Sequence, residues 1–261
     1  MFFTSFLEQV GAGSSVVEIG SDWMQGRAGY GGLVAALVFE SMRKSLSTSA
    51  PVRCLQISFV GPVTSEPLVV DSEVLREGKS VSHVVGRGMQ NGECKVVIQG
   101  SFGAARDSVI RVDGPKPHIE KVPDSCKKLA YIEGVTPAFT QHFDYRYATN
   151  FPFSGSSDAR LQGYLRFAEP EPEMGSGQLI GLVDGWPPTT LPMLAKPAMA
   201  SSLSWTIEFM QPAPSLGAEE FILYEAEIIE SANGYGHTRA LVWNESEELL
   251  AISQQTVTHF A

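Results

Sequence analysis

Cysteine is scarce in this sequence, and so is positive charge. Only three cysteines occur in 261 residues: Cys54, Cys94 and Cys126, widely spaced and without a Cys-x-x-Cys pair. That excludes a disulfide frame and a cysteine zinc site, and it reads as reduced thiols in a cytoplasmic protein. Lys and Arg number 19 against 29 Asp and Glu, a net charge of −10. No basic cluster exceeds two residues, which excludes nucleic acid as a partner; a small anion needs only a local patch. Charged residues make up 18% of the chain, below the roughly 25% of an average soluble domain. The shortfall points to extra buried surface, such as an interface between copies of the chain. Long hydrophobic runs are also missing. The longest, Gly31 to Phe39, is about half of a membrane span. The segment Met1 to Glu8 has no basic stretch and is interrupted by Glu8, so it does not read as a signal peptide.

What is present is apolar and punctuated: 43% hydrophobic residues, 25 Gly and 16 Pro. Such a chain folds, as one large domain or as two of roughly 130 residues. A turn-rich stretch from Asp22 to Gly32 leads into Leu33 to Lys44, whose apolar residues cover nearly the whole helical circumference. A helix apolar almost all round is a buried helix. Arg43 and Lys44 suit the negative pole of its dipole. Strand patterns follow at Leu55–Val60, Leu68–Leu75, Ser80–Met89 and Lys95–Phe102, with Asn91-Gly92 the strongest hairpin signal.

Residues 107–137 carry Pro115, Pro117, Pro123 and Pro137 and read as a surface linker between residues 1–106 and 138–261. The second part repeats the plan. Strands are expected at Phe143–Ala148 and Gly163–Phe167. An apolar, Pro-interrupted helix follows at Gln178–Leu194, then strands at Leu203–Met210, Phe221–Ile229, Thr238–Trp243 and Leu249–Val257. Phe59-x-x-Pro62 matches Phe209-x-x-Pro212 at an offset of 150, His83 matches His237 at 154, and Leu33 matches Leu182 at 149. The order of elements, repeated across a Pro-rich linker, indicates duplication.

A buried helix wrapped by a long antiparallel sheet, present twice, is an α+β double hotdog. Four stretches resemble the acyl-CoA thioesterase II family. They are Gln25 to Ala36, with its Gly-Gly helix entry; Leu75-Arg76-Glu77-Gly78-Lys79-Ser80; Val183-Asp184-Gly185-Trp186-Pro187-Pro188; and Ser202 to Phe209. The resemblance implies hydrolysis of an acyl-CoA, in fatty acid metabolism, by a water held between Asp184, Ser202 and Gln255, with Gln254 one register away as the alternative. It implies no cofactor and no metal. Ser204, where relatives often carry an acid, and the pair Pro187-Pro188 depart from the family pattern.

Thioester hydrolysis needs an activated water and donors for the oxyanion. Asp184 has the carboxylate for a base, in an apolar stretch that would raise its pKa. Ser202 and Gln255 position by hydrogen bonds. Tyr30, Gly31 and Gly32, at the positive end of the first helix, are the expected oxyanion and substrate-binding residues. The offsets place Ala35, Val52 and Ser101 opposite Asp184, Ser202 and Gln255, which implies one working site per chain. Two other readings stand beside hydrolysis: an acyl-binding protein without activity, and a hydratase or dehydratase, for which no His lies near Asp184 in sequence. Open sheet edges imply a homo-oligomer of two to four chains. No membrane association is expected.

Overall fold

The computed structural model describes residues 1–260. The chain opens with helix α1 (Phe3–Glu8), the short strands β1 (Ser15–Val17), β2 (Met24–Gln25) and β3 (Ala28–Gly29), and helix α2 (Gly31–Ser45). A meander follows: β4 (Val52–Phe59), β5 (Leu68–Glu77), β6 (Val81–Gln90) and β7 (Glu93–Gly103). After an extended stretch come β8 (Lys127–Lys128), β9 (Phe143–Tyr147), β10 (Arg160–Phe167) and helix α3 (Ser176–Asp184). A second meander ends the chain: β11 (Ala200–Phe209), β12 (Ile222–Ala232), β13 (Tyr235–Trp243) and β14 (Leu249–His259). Twelve strands form one antiparallel sheet in the order β1-β5-β6-β7-β4-β11-β14-β13-β12-β10-β9-β8. β4 and β11 are the seam between repeats, with Ile57 opposite Trp205. The two helices pack on each other inside the curve of the sheet.

The helix expected from Leu33 is present, and its burial has a visible cause. α3 covers one side and β5, β6 and β7 the other, so every residue from Gly32 to Met42 is buried. Glu40 lies among them, and its carboxylate meets Arg43 at 2.6 Å and Lys44 at 3.1 Å. The second helix is shorter than its apolar pattern: it stops at Asp184, and Leu191–Met193 is a separate 3-10 turn. Pro187-Pro188 lack the N–H groups a continuing helix needs and disfavour helical backbone at Trp186.

Asn91 and Gly92 adopt φ of 52° and 78°, as their hairpin requires. Asn233 and Gly234 do the same between β12 and β13, at 54° and 81°, so these strands run several residues beyond their hydrophobic patterns.

Duplication is written into the irregularities of the sheet. The β4–β7 register slips between Val52 and Cys54, and the β11–β14 register slips between Ser202 and Ser204. Slips also recur at Val74/Arg76 and Ile228/Glu230, and at Gly88/Met89 and Val242/Trp243. His83 Nδ1 lies 3.2 Å from Ser101 Oγ, and His237 Nδ1 lies 3.3 Å from Thr256 Oγ1. Two sequence offsets need correction. Leu55 pairs with Gly100 and Trp205 with Gln255, so Gly100 rather than Ser101 stands opposite Gln255. Counted from the helix starts at Gly31 and Ser176, Phe39 rather than Ala35 stands opposite Asp184. Neither replacement restores a polar group.

The chain before α2 is fastened to the second repeat. Glu171 accepts the N–H groups of Phe3 at 2.9 Å and Thr4 at 2.8 Å, completing the N-terminus of α1. Phe3 lies over Gly181, where a Cβ would come within 2.6 Å of its ring, and Leu7 lies over Gly177 in the same way at 2.7 Å.

The stretch read as a linker also packs. Trp243 Nε1 donates to the Pro115 carbonyl at 2.7 Å, and Lys121 Nζ to that of Ala148 at 2.7 Å. Cys126 joins Ala148, Tyr164, Phe221, Leu223 and Trp243 in a small second core.

The sheet ends in strands of three and two residues, β1 and β8. β1 pairs only with Leu68 to Val70. The rest of β5 carries Asp71, Glu73, Arg76 and Glu77, charges that oppose edge-to-edge pairing. Beyond these short strands the edges of β5 and of β9 stay open.

Candidate active site

Three elements meet where α3 ends. Asp184 is the last residue of α3, and its side chain reaches the first turn of α2. There it lies beside the Gly32 N–H, which lowers its pKa. Gln255, in β14, donates Nε2 to Asp184 Oδ1 at 3.4 Å. Ser202, in β11, donates Oγ to Gln255 Oε1 at 3.3 Å. The register slip beside Ser202 is a bulge that turns this hydroxyl toward Gln255 while Leu203 and Ser204 face outward. Gln254 is exposed on the other face of β14, so of the two glutamines Gln255 meets Asp184. The structure thus brings together Asp184, Ser202 and Gln255. Both side-chain contacts are long for hydrogen bonds, and they leave acceptor capacity on the carboxylate.

The electrostatics of Asp184 are set by opposing causes. Burial is the largest and pushes its pKa up to about 7, against which the Gly32 N–H and the Gln255 amide act. The carboxylate stands at the negative end of its own helix and the positive end of α2, so the two dipoles oppose each other there. A base near neutrality results, with the side chain only partly accessible.

Of the expected oxyanion residues, Tyr30 is already engaged. Its hydroxyl donates to the Gly181 carbonyl, its N–H to Trp23 O at 2.9 Å, and its ring stacks on Phe139 at 4.2 Å. Tyr30 joins α2 to α3 and so holds Gly32 against Asp184. The Gly32 N–H lies beside Asp184 and lowers its pKa, which favours Gly31 N–H as the donor of the set. The helix entry demands glycine twice: a Cβ on Gly31 would lie 2.9 Å from Asp184 Oδ2, and one on Gly32 would lie 2.6 Å from the Tyr30 hydroxyl and 3.0 Å from Asp184 Cβ.

Two tyrosines escaped the sequence reading. Tyr145 donates to the Gly185 carbonyl at 2.8 Å and fixes the end of α3. Burial raises the pKa of Tyr224 and Tyr145, with the Asp184 charge adding to both and Tyr147 adding more to Tyr145. The alternation Phe143, Tyr145, Tyr147 was the available signal, since those side chains share one face of β9.

The five histidines have other neighbours: Ser101 for His83, Glu225 for His118, Asp22 for His142, Thr256 for His237 and Ser231 for His259. A His beside a carboxylate, which a hydratase would need, is not what Asp184 has. Among the described residues no group of three or more His, Cys, Asp or Glu side chains is arranged to hold a metal, and no helix is long and apolar enough to cross a membrane.

Comparison with known proteins agrees with this architecture. The acyl-CoA thioesterase N-terminal domain family matches residues 19–103, and the C-terminal domain family matches residues 123–259. A protein of unknown function with a hot dog fold from Alicyclobacillus acidocaldarius is similar at a TM-score of 0.83 and 20% identity, covering 95% of this chain and 94% of its own. The tesB protein of Mycobacterium avium subspecies paratuberculosis is similar at 0.79 and 15%, covering 99% and 98%. The acyl-CoA thioesterase II TesB2 of Mycobacterium marinum is similar at 0.75 and 18%, again covering 99% and 98%. No curated protein sequence matches. At these identities the structures speak for the double hotdog fold. The domain matches speak for the family, and on them the chain belongs to the acyl-CoA thioesterases, a thioester hydrolase.

Proposed function

We propose that the chain hydrolyses an acyl-CoA to a free acid and coenzyme A with Asp184 as general base. The observation that carries this reading is the contact chain Ser202–Gln255–Asp184, closed onto the N-terminus of α2 by Gly32. A water held by Asp184 and Gln255 attacks the thioester carbon, and its proton passes to Asp184. The carbonyl oxygen becomes an oxyanion that Gly31 N–H meets at the positive end of α2. When the intermediate collapses, the C–S bond breaks and Asp184 returns its proton to the departing thiolate. Ser202 orients Gln255, and so acts through it. A base near pH 7 suits this work, because it is ionised enough to accept a proton and acidic enough to return it.

The first repeat has Phe39, Val52 and Gly100 at the corresponding places, which supports one site per chain. Three free cysteines support a reducing, cytoplasmic location. Association into two to four copies would use exposed apolar residues such as Met199, Leu203 and Phe260, and light scattering reads it directly.

The test is thiol release from a panel of acyl-CoAs, from acetyl to palmitoyl with aryl members, by the wild type and Asp184→Ala. Turnover of some member that disappears in a variant with unchanged circular dichroism supports the reading. Turnover untouched by the substitution removes Asp184 from the mechanism.

A further inference from the structure

The two helices differ in length, and the difference falls beside Asp184. α2 has 15 residues and α3 has 9, a shortfall of about 9 Å at about 1.5 Å per residue. In the first repeat the last turns of α2 fill the inside of the sheet. Phe39 stacks on Phe102 at 6.2 Å. Met42 lies so close to Gly86 and Gly100 that a Cβ on either would come within 2.7 Å of it.

In the second repeat the helix has ended at Asp184, and one side chain just beyond it packs against β9, β10 and β12. Trp186 stacks on Tyr224 at 5.1 Å, and meets Tyr147 at 5.1 Å and Tyr145 at 6.0 Å edge to face. Gly163 in β10 makes room for it, since a Cβ there would sit 2.6 Å from Trp186 Cη2. The ring is 6% exposed. Its backbone is fixed by the two prolines that follow and by Gly185, where a Cβ would sit 2.7 Å from Leu165 Cδ2.

The direction of a substrate follows from this packing. With its carbonyl at Asp184, a thioester sends coenzyme A toward solvent and its acyl group inward. Inward of Asp184 the chain runs directly into an aromatic box: Tyr145 holds the Gly185 carbonyl at 2.8 Å, and Trp186 stacks on Tyr224. We propose that Trp186 is the floor of the acyl pocket and restricts this enzyme to short acyl groups. The inference rests on the proposed role of Asp184 and extends it to substrate class. Trp186 is buried two residues beyond Asp184, so a long chain running inward there meets the indole, which the prolines and the tyrosine box hold in place. Trp186 Nε1 has no hydrogen-bond partner, so a smaller apolar residue there orphans no group elsewhere.

The experiment measures kcat/KM for straight-chain acyl-CoAs from acetyl to palmitoyl with the wild type, Trp186→Ala and Trp186→Phe, and with Asp184→Ala as the baseline. The wild type is expected to lose efficiency sharply beyond the short members. Trp186→Ala moves the cut-off outward by several carbons, with about a fourfold gain for each newly accommodated methylene. Trp186→Phe, which keeps an aromatic ring in the box, moves it less. Wild-type efficiency on palmitoyl equal to that on butyryl overturns the proposal. So does an unchanged chain-length profile in both Trp186 variants when circular dichroism shows them folded. Those results leave hydrolysis through Asp184 standing if Asp184→Ala is inactive. No thiol release by any variant from any member overturns both.

Discussion

Replacing Asp184 by Asn tests the energetics of the site without reference to any substrate. The carboxyl has a pKa of about 7 because burial disfavours its charge, while in the unfolded chain it titrates near 3.9. Between those values the folded protein binds a proton that the unfolded chain has released. Stability therefore falls as pH rises through this window. The difference is about 3 pKa units, or about 4 kcal/mol at roughly 1.4 kcal/mol per unit. It is absent below about pH 4 and complete above about pH 8. Asn has no charge to bury, so its unfolding free energy lacks this contribution. Urea unfolding of both proteins at pH 4.5, 6 and 8 should show the variant gaining on the wild type by about 3 kcal/mol across the range. The slope with pH, rather than the sign at one pH, carries the test. A difference that stays constant from pH 4.5 to 8 refutes the reasoning, and one that moves against the variant refutes it more strongly.

Other outcomes follow from the same contacts. Gly31→Ala places a methyl 2.9 Å from Asp184 Oδ2, so the carboxylate must shift; kcat should fall by about tenfold or more in a variant that circular dichroism shows folded, and an unchanged kcat would remove Gly31 from the site. Tyr30→Phe leaves the Gly181 carbonyl without its donor in a buried place, a loss of about 1–3 kcal/mol measurable by urea unfolding. Gln255→Leu removes a hydrogen bond that lowers the Asp184 pKa, so the ascending limb of kcat/KM against pH should shift to higher pH as the maximum falls. Asn233→Val places a β-branched residue at φ of 54° and should destabilise the β12–β13 hairpin by about 1–3 kcal/mol, whereas a neutral result would mean the turn is not held in that form.

Periodicity reaches local elements well and three-dimensional meetings poorly. Leu33 to Met42 announces a buried helix because its own side chains carry the pattern. The end of α3 was harder: apolar residues run on to Leu194, and only the backbone chemistry of Pro187-Pro188 stops the helix at Asp184. The long tips of β12 and β13 around Asn233 carry Glu227, Glu230 and Ser231, so hydrophobic alternation fades before pairing does. At the site, the resemblance named Asp184, Ser202 and Gln255, and the sheet register separated Gln255 from Gln254. The engagement of Tyr30 and Gly32 was not visible in sequence, because their partners, Gly181 and Asp184, lie about 150 residues away and are reached only when the helices pack. Trp186 could be read as pocket or core from its type alone. The short α3 beside it gives the residue its place.

The central claim is that Asp184 activates a water rather than attacking the thioester itself. A single turnover in H₂¹⁸O, with enzyme in excess over an acyl-CoA that it hydrolyses, tests this against an Asp184 anhydride that water opens at the aspartyl carbon. Attack by water puts one ¹⁸O into the product acid in that first turnover and leaves the Asp184 carboxylate unlabelled. Unlabelled product in the first turnover, with ¹⁸O found instead in the peptide that contains Asp184, would contradict the account.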